Sequence, residues 1–333
     1  CSWALISKTS RNLSSNEVCD SKRQKTMTES VIQVQSLSRA FGTKQALNDV
    51  SLSIPTGTVF ALVGENGAGK TTLLKHLLGL LKARTGSVRV FGLDPAVEPA
   101  AVLSRIGYLS ENREMPEWMR VDQLMHFQAA FYPDWDHDYA TELVEMFELK
   151  TSQRIRTLSR GQLARVGLLL AIAHRPELLL LDEPSSGLDP VVRRDILAAI
   201  IRTVADEGRT VLFSSHLLDE VQRVSDHVAM LHQGSLLLCD PLETVLQQHS
   251  RWTIRLAEPA TVAPNIPGSI HCAGSSREWT VLCNGQPSDV PTWCSTAGAE
   301  VVEQAAPSLE EIFVAQVSHS AGQASHRNSG GVD

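Results

Sequence analysis

The run Gly64, Glu65, Asn66, Gly67, Ala68, Gly69, Lys70, Thr71, Thr72 constrains this chain more than any other stretch. It matches the phosphate-loop pattern G-x-x-x-x-G-K-T in full. Glycines let successive backbone N–H groups converge on anionic oxygens that a bulky side chain would obstruct. Lys70 is placed to reach β and γ phosphates, and Thr71 offers a hydroxyl to Mg2+. Residues 59–63, just before the loop, are wholly apolar and read as a short buried strand. Residues 71–81 read as a helix whose positive end faces the phosphates. Strand, glycine loop and helix in that order open an α/β nucleotide fold.

A second signal lies over a hundred residues on, where four leucines at 178–181 run into Asp182, Glu183 and Pro184. A buried strand ending in two acids places Asp182 to hold a magnesium shell and Glu183 to polarise an attacking water. The remaining pattern supplies more strands and helices. Residues 31–34, 50–54, 87–90 and 105–109 read as strands, and residues 121–149 as two helices broken at Tyr132, Pro133 and Asp134. Residues 161–174, 191–207 and 217–224 read as helices around a strand at 210–214, and 228–239 as a hairpin about Gln233 and Gly234. Beyond Gln248 the segments at 252–256 and 279–282 alternate as edge strands. Residues 308–315 read as a closing helix capped by Ser308, and the polar tail 318–333 as disordered.

Residues 1–26 differ in character from the rest of the chain, beginning with Cys1 and lacking any apolar period. Met27 reads as the natural start and the upstream stretch as a leader or non-native flank, with a flexible arm as the alternative. Setting aside its five bases and two acids leaves 25 Lys and Arg against 35 Asp and Glu, a net charge near -10. An acidic body is a poor partner for nucleic acid, so no direct contact with it is expected. No apolar stretch approaches the roughly 20 residues that span a bilayer, so any membrane role needs another chain. The six cysteines form no C-x-x-C pair, which argues against a metal knuckle and for a reduced, cytoplasmic setting.

Leu158, Ser159, Arg160, Gly161 and Gln162 precede Asp182, Ser186 to Asp189 follow Pro184, and His216 ends the next strand. Together with the two acids and the phosphate loop, these resemble the ATPase subunit of ATP-binding cassette (ABC) transporters over residues 31 to about 245. The resemblance implies a P-loop NTPase (RecA-like) ABC ATPase core with an antiparallel β subdomain and a helical insert at about 115–172. It implies ATP and Mg2+ as cofactors and a head-to-tail dimer with a second copy or a homologous ATPase subunit. In that arrangement Ser159, Gly161 and Gln162 meet the nucleotide held by the partner's phosphate loop. Lys70 and His216 contact the γ-phosphate in their own site, His216 positions Glu183, and Asp189 crosses the interface. Thr71, Asp182 and Glu111 hold the metal.

Three positions depart from the commonest family pattern. Arg160 stands where glycine is usual and is expected to point away from the nucleotide. Phe41 stands where an aromatic ring stacks on adenine, with burial as a core residue the alternative. Glu111, with Asn112 able to share its role, stands at the glutamine loop that relays nucleotide state to the insert. Met115, Pro116, Glu117, Trp118 and Met119 open the insert and either meet the permease or pack inside it. Residues 27–248 form the expected ATPase domain and 249–317 a small C-terminal α+β extension. That ending resembles the exporter branch served by a separate multi-span (ABC-2-type) integral-membrane permease, with the ATPase peripheral on the membrane's inner face. His271 beside Cys272 reads as incidental. A soluble cassette ATPase on nucleic acid or ribosomes is the rival reading. It is disfavoured by the short span from Gly69 to Leu158, by a single motif set and by the acidic body.

Overall fold

Four central strands carry apolar side chains on both faces, and that requirement organises the molecule. The computed structural model describes residues 30–205, 208–285 and 289–328. In chain order it begins with strands β1 (Ser30–Phe41), β2 (Lys44–Pro55) and β3 (Val59–Val63), then α1 (Lys70–Leu77) and β4 (Thr85–Val90). Next come α2 (Pro99–Leu103), β5 (Ile106–Leu109), α3 (Val121–Ala129), α4 (His137–Met146) and α5 (Arg160–Ile172). These lead into β6 (Leu178–Leu181), α6 (Pro190–Ala205), β7 (Thr210–Ser215), α7 (Leu218–Val224), β8 (His227–His232) and β9 (Ser235–Pro241). The C-terminal part holds α8 (Leu242–Gln248), β10 (His249–Ala260), β11 (Ser269–Asn284), α9 (Asp289–Ala297), β12 (Glu300–Ala305) and α10 (Leu309–Asn328).

The main sheet has the order β5-β6-β7-β3-β8-β9, parallel except for β9. Because side chains alternate along a strand, each strand feeds two cores. Phe60, Leu62, Leu178, Leu180, Leu212, Ala229 and Leu231 face one side, where α1 and the antiparallel sheet β2-β1-β4 cover them. Ala61, Val63, Leu179, Leu181, Val211, Phe213, Val228 and Met230 face the other, under α5 and the helical insert. Leu309, Ile312 and Ala315 of α10 bury into this second core, so the closing helix returns to the body of the main sheet. Among the described residues no helix is long and apolar enough to cross a membrane.

Several expectations needed correction. The first hairpin is far longer than the runs at 31–34 and 50–54, because register shifts between Val34 and Ala40 break its alternation. Helix α1 stops at Leu77 rather than 81, where Gly79 takes a left-handed φ of 70° and closes the turn. Strand β10 is central rather than an edge, since β12 pairs with its other side. Trp252 and Trp279 consequently bury in a small core with Ile254, Ile266 and Val281. The cap at Ser308 forms as expected, its Oγ accepting from Glu311 N at 3.2 Å, and Glu311 Oε2 completes a capping box by accepting from Ser308 N at 2.7 Å. The helix it starts does not end at Ala315. Backbone expected to be disordered from Ser318 is helical to Asn328, there being no proline to stop propagation. Residues 1–26 lie outside the described residues, as do 329–333.

Two features give tests of this packing. A Cβ on Gly107 of β5 would lie 2.0 Å from the Ala171 carbonyl oxygen of α5, so backbone itself would have to move. Gly107→Ala should cost about 1–3 kcal/mol or more, read as a lower urea midpoint. His174 is buried against Tyr132, with ring centroids 3.8 Å apart, and its Nε2 lies 3.1 Å from the Ile106 carbonyl oxygen. Burial pushes its pKa down from 6.5 to about 4. The unfolded chain therefore takes up a proton that the folded one refuses. The stability contributed is complete above pH 6.5 and is lost as pH falls toward 4. His174→Phe should flatten that part of the stability–pH curve, measured by urea unfolding across the interval.

Candidate active site

The site forms where β3, β6 and β7 end, at one edge of the main sheet. From β3 the chain enters the glycine loop, which leaves no room for other residues at two positions. A Cβ on Gly64 would sit 2.3 Å from the Leu231 carbonyl oxygen, and one on Gly69 would sit 2.5 Å from that of Ala46. Gly69 also holds a φ of 115°, which L side chains rarely adopt. Lys70 then opens α1 and folds its ammonium back over the loop. It donates to the carbonyls of Gly64 at 2.5 Å and Glu65 at 3.3 Å.

The two acids follow β6 directly. Asp182 N donates to Leu109 O at 2.8 Å, and Asp182 Oδ1 accepts from Ser214 Oγ at 2.7 Å. The same hydroxyl accepts from Glu183 N at 2.8 Å, so Ser214 of β7 orients both acids. Glu183 has a φ of 48°, a left-handed conformation that costs a non-glycine residue roughly 1–2 kcal/mol. Its carboxylate is held on both oxygens. Oε1 lies 2.9 Å from Lys70 Nζ, each side chain 5% exposed, and Oε2 lies 2.7 Å from His216 Nδ1. Parallel pairing of β6 with β7, Leu181 opposite Phe213, brings the glutamate and the histidine together. Their separation in sequence exceeds thirty residues.

A cleft of about 330 Å³ opens over Lys70 and Glu183, while His216 touches Glu183 without lining it. Of the residues expected at a nucleotide site, Phe41, Glu65, Asn66, Gly67, Gly69, Lys70, Thr71, Thr72, Glu111 and Glu183 line it. Phe41 is 46% exposed, with the Arg39 guanidinium 4.8 Å from its ring centroid, so it is no core residue. Gly64 and Ala68 are buried parts of the loop frame, and Asp182 is buried behind the lining. Ser159, Gly161, Gln162 and Asp189 do not line the cleft. Ser159 and Gln162 form a reciprocal capping box at α5, and a Cβ on Gly161 would press on Val192 at 2.9 Å. Asp189 Oδ1 caps α6 by accepting from the amides of Val191 and Val192 at 3.0 and 3.1 Å.

The structure adds residues that sequence reasoning passed over. Lys44 and Ala46 line the cleft, and Lys44 Nζ would lie 3.6 Å from a Cβ on Gly67. A base three positions after Phe41, across the tight turn at Gly42 and Thr43, was the available signal. Ser214 had none, since its role depends on strand pairing. Of residues 115–119, Met115 and Met119 pack against the core while Trp118 is exposed, so the segment divides between burial and surface.

The donor set suits a hard cation. Burial pushes the Tyr108 hydroxyl's pKa up to about 12, and the charges of Asp182 and Glu111 add to it, so both carboxylates lie near that hydroxyl. Carboxylates with a threonine hydroxyl are the oxygen ligands that Mg2+ takes, and Thr71, Asp182 and Glu111 are the residues here that would hold it.

The sequence matches the family described as ABC transporter over residues 47–186. It is 30% identical to the ABC transporter ATP-binding protein YtrB of Bacillus subtilis, across 86% of this chain and 98% of that protein. That match runs past Gln248 into the C-terminal strands. The bacitracin transport ATP-binding protein BcrA of Bacillus licheniformis is 28% identical over 67% of this chain and 73% of its own length. Among solved structures, an ATP-binding subunit of an ABC transporter superposes with a TM-score of 0.60 at 27% identity, covering 66% of this chain and 92% of its own. A dimeric bacterial ABC transporter cassette shares the fold with a TM-score of 0.57 at 22% identity, over 63% of this chain and 98% of its own.

Ser214→Ala would strip the hydroxyl from both acids at once. Loss of such a supporting contact weakens metal binding by about 10–100-fold. The Mg2+ concentration giving half-maximal ATP hydrolysis should rise by about tenfold or more. An unchanged midpoint would remove Ser214 from the site.

Proposed function

From the premise that this chain belongs to the ABC transporter family of ATP-binding subunits, we propose that it is the motor of an exporter whose multi-span, ABC-2-type permease is a separate chain. It is an ATP-hydrolysing subunit of the kind that acts with a membrane permease. Two copies, or this chain and a homologous ATPase subunit, close head to tail around ATP. The observation that carries this reading is the division of the motifs. The phosphate loop and Glu183 line one cleft and His216 contacts Glu183 from beside it, whereas Ser159, Gly161 and Asp189 stand outside the cleft and lack a phosphate to act on without a second subunit.

Charge balance suggests how the site works. Lys70 neutralises Glu183 across 2.9 Å with both side chains largely buried, and separating a buried pair costs about 3–5 kcal/mol if nothing replaces the partner. The β and γ phosphates of ATP offer that replacement. Once Lys70 turns to phosphate oxygens, Glu183 Oε1 is free to accept a proton from water as the water oxygen bonds to the γ-phosphorus and the bond to the β,γ-bridging oxygen breaks, giving phosphate and ADP. His216 donates through Nδ1 to Oε2 and keeps the carboxylate aimed. Phe41 stacks on adenine at the rim, and Glu65, Asn66 and Gly67 present backbone to phosphate. Thr71, Asp182 and Glu111 would hold Mg2+, which would supply neutralisation of phosphate charge.

The permease docks where the insert meets β5. A groove of about 360 Å³ runs there, with Met115, Pro116, Phe127 and Tyr132 in its walls. Beside it Trp118, Phe127 and Phe131 are exposed, the last two in edge-to-face contact with centroids 5.1 Å apart. Exposed aromatic clusters of this kind mark protein interfaces. Export, rather than import, rests on the resemblance of the ending at Ser308 to Ala315 to exporter-branch subunits, and the subunit works on the inner face of the membrane through its permease.

Glu183→Gln keeps size and hydrogen bonding but removes the base. It should lower the turnover rate by about 100-fold or more while ATP still binds. The same variant should trap an ATP-bound dimer, read by sedimentation with and without Mg-ATP. A wild-type protein no faster than the variant would sink the assignment of Glu183. A variant that binds ATP but stays monomeric would sink the dimer.

A further inference from the structure

Arg113 follows Glu111 and Asn112, at a turn where its own φ is 49° and its amide donates to Ser110 O at 3.2 Å. Its guanidinium is half-buried and pairs with no carboxylate at ion-pair distance among the described residues. Instead Nη2 donates to the carbonyl of Pro184 at 2.7 Å and reaches that of Ser186 at 3.4 Å. Burial holds the guanidinium below its usual pKa; the Glu111 carboxylate offsets part of that, and the Arg160 charge adds to it. A charged donor placed on two neutral carbonyls is a specific choice, because a surface carboxylate would satisfy it at lower desolvation cost.

Those carbonyls belong to the turn that begins at Glu183. Ser186 N donates to Glu183 O at 3.1 Å, closing the turn directly after the acid. Glu183 itself sits in a left-handed conformation that persists only where its surroundings enforce it. One side of the turn is anchored by Ser185, whose hydroxyl donates to Glu220 Oε2 at 2.6 Å, with Arg193 Nε on Glu220 Oε1 at 2.8 Å. Arg113 supplies the restraint from the other side. It also lines the insert-side groove, so one side chain spans from that groove to the residue after the acid.

We infer that Arg113 is a positioning residue for hydrolysis, holding the Pro184 and Ser186 carbonyls from the groove wall and thereby fixing the carboxylate of Glu183. The inference rests on the role of Glu183 proposed above. Arg113 does not line the nucleotide cleft, so its removal should act on the rate and spare ATP binding.

The test compares full-length wild type, Arg113→Met, Arg113→Lys and Glu183→Gln, with rates scaled to the folded fraction measured by thermal melting. Arg113→Met should lower kcat by about tenfold, the equivalent of one hydrogen bond to a charged group, with KM for ATP within about twofold. Arg113→Lys, which can still donate to one carbonyl, should recover part of that rate. An Arg113→Met kcat equal to wild type, a raised KM at unchanged kcat, or a lysine variant no better than methionine would overturn the proposal alone. A wild type no faster than Glu183→Gln would overturn the role of Glu183, and the proposal with it.

Discussion

Burial of the main sheet on both faces is the constraint on which the rest depends. Strands β3 and β6 have no exposed residue, so neither can carry chemistry along its length. Polar groups can enter only where the strands stop, and β3, β6 and β7 stop at the same edge. Gly64, Asp182 and His216 are each the first or nearly the first residue past a strand end. The site therefore lies at the carboxyl edge of a parallel sheet, where open α/β folds place their ligands.

At that edge the charges are few and closely matched. Lys70, Glu183 and His216 form one chain of contacts, and Ser214 ties Asp182 to Glu183 from behind. A buried ammonium beside a buried carboxylate is a compact arrangement, and it makes the lysine's partner exchangeable by an incoming phosphate. The same logic extends outward through Arg113 and Ser185 to the turn after Glu183. Electrostatic preparation here is carried by side chains of several elements, with the backbone of one loop as its cradle.

Local signals are the ones legible in the sequence. The glycine loop, the leucine strand ending in two acids, the helix break at Pro133 and the Ser308 cap all depend on near neighbours, and each has its counterpart in the structure. Signals that depend on distant partners failed. The pattern of Glu300, Val301, Val302, Glu303 and Gln304 lacks alternation and so gives no strand signal for β12, without which β10 reads as an edge strand. Lys44 and Ser214 gave little sign of belonging to the site, because only the hairpin and the β6–β7 pairing carry them there.

The amino-acid sequence by itself determined the chemistry available: a phosphate cradle, a lysine, two acids and a histidine in an order that belongs to one family. Short-range rules suffice for that, since a glycine's φ or a strand's apolar face depends on a few adjacent residues. Tertiary structure alone decided which of those groups meet. It put Lys70, Glu183 and His216 within hydrogen-bonding reach, and left Ser159 and Asp189 outside the cleft. It also returned α10 to the ATPase core. Those outcomes rest on strand order and parallel register, which are set by packing between segments far apart in the chain.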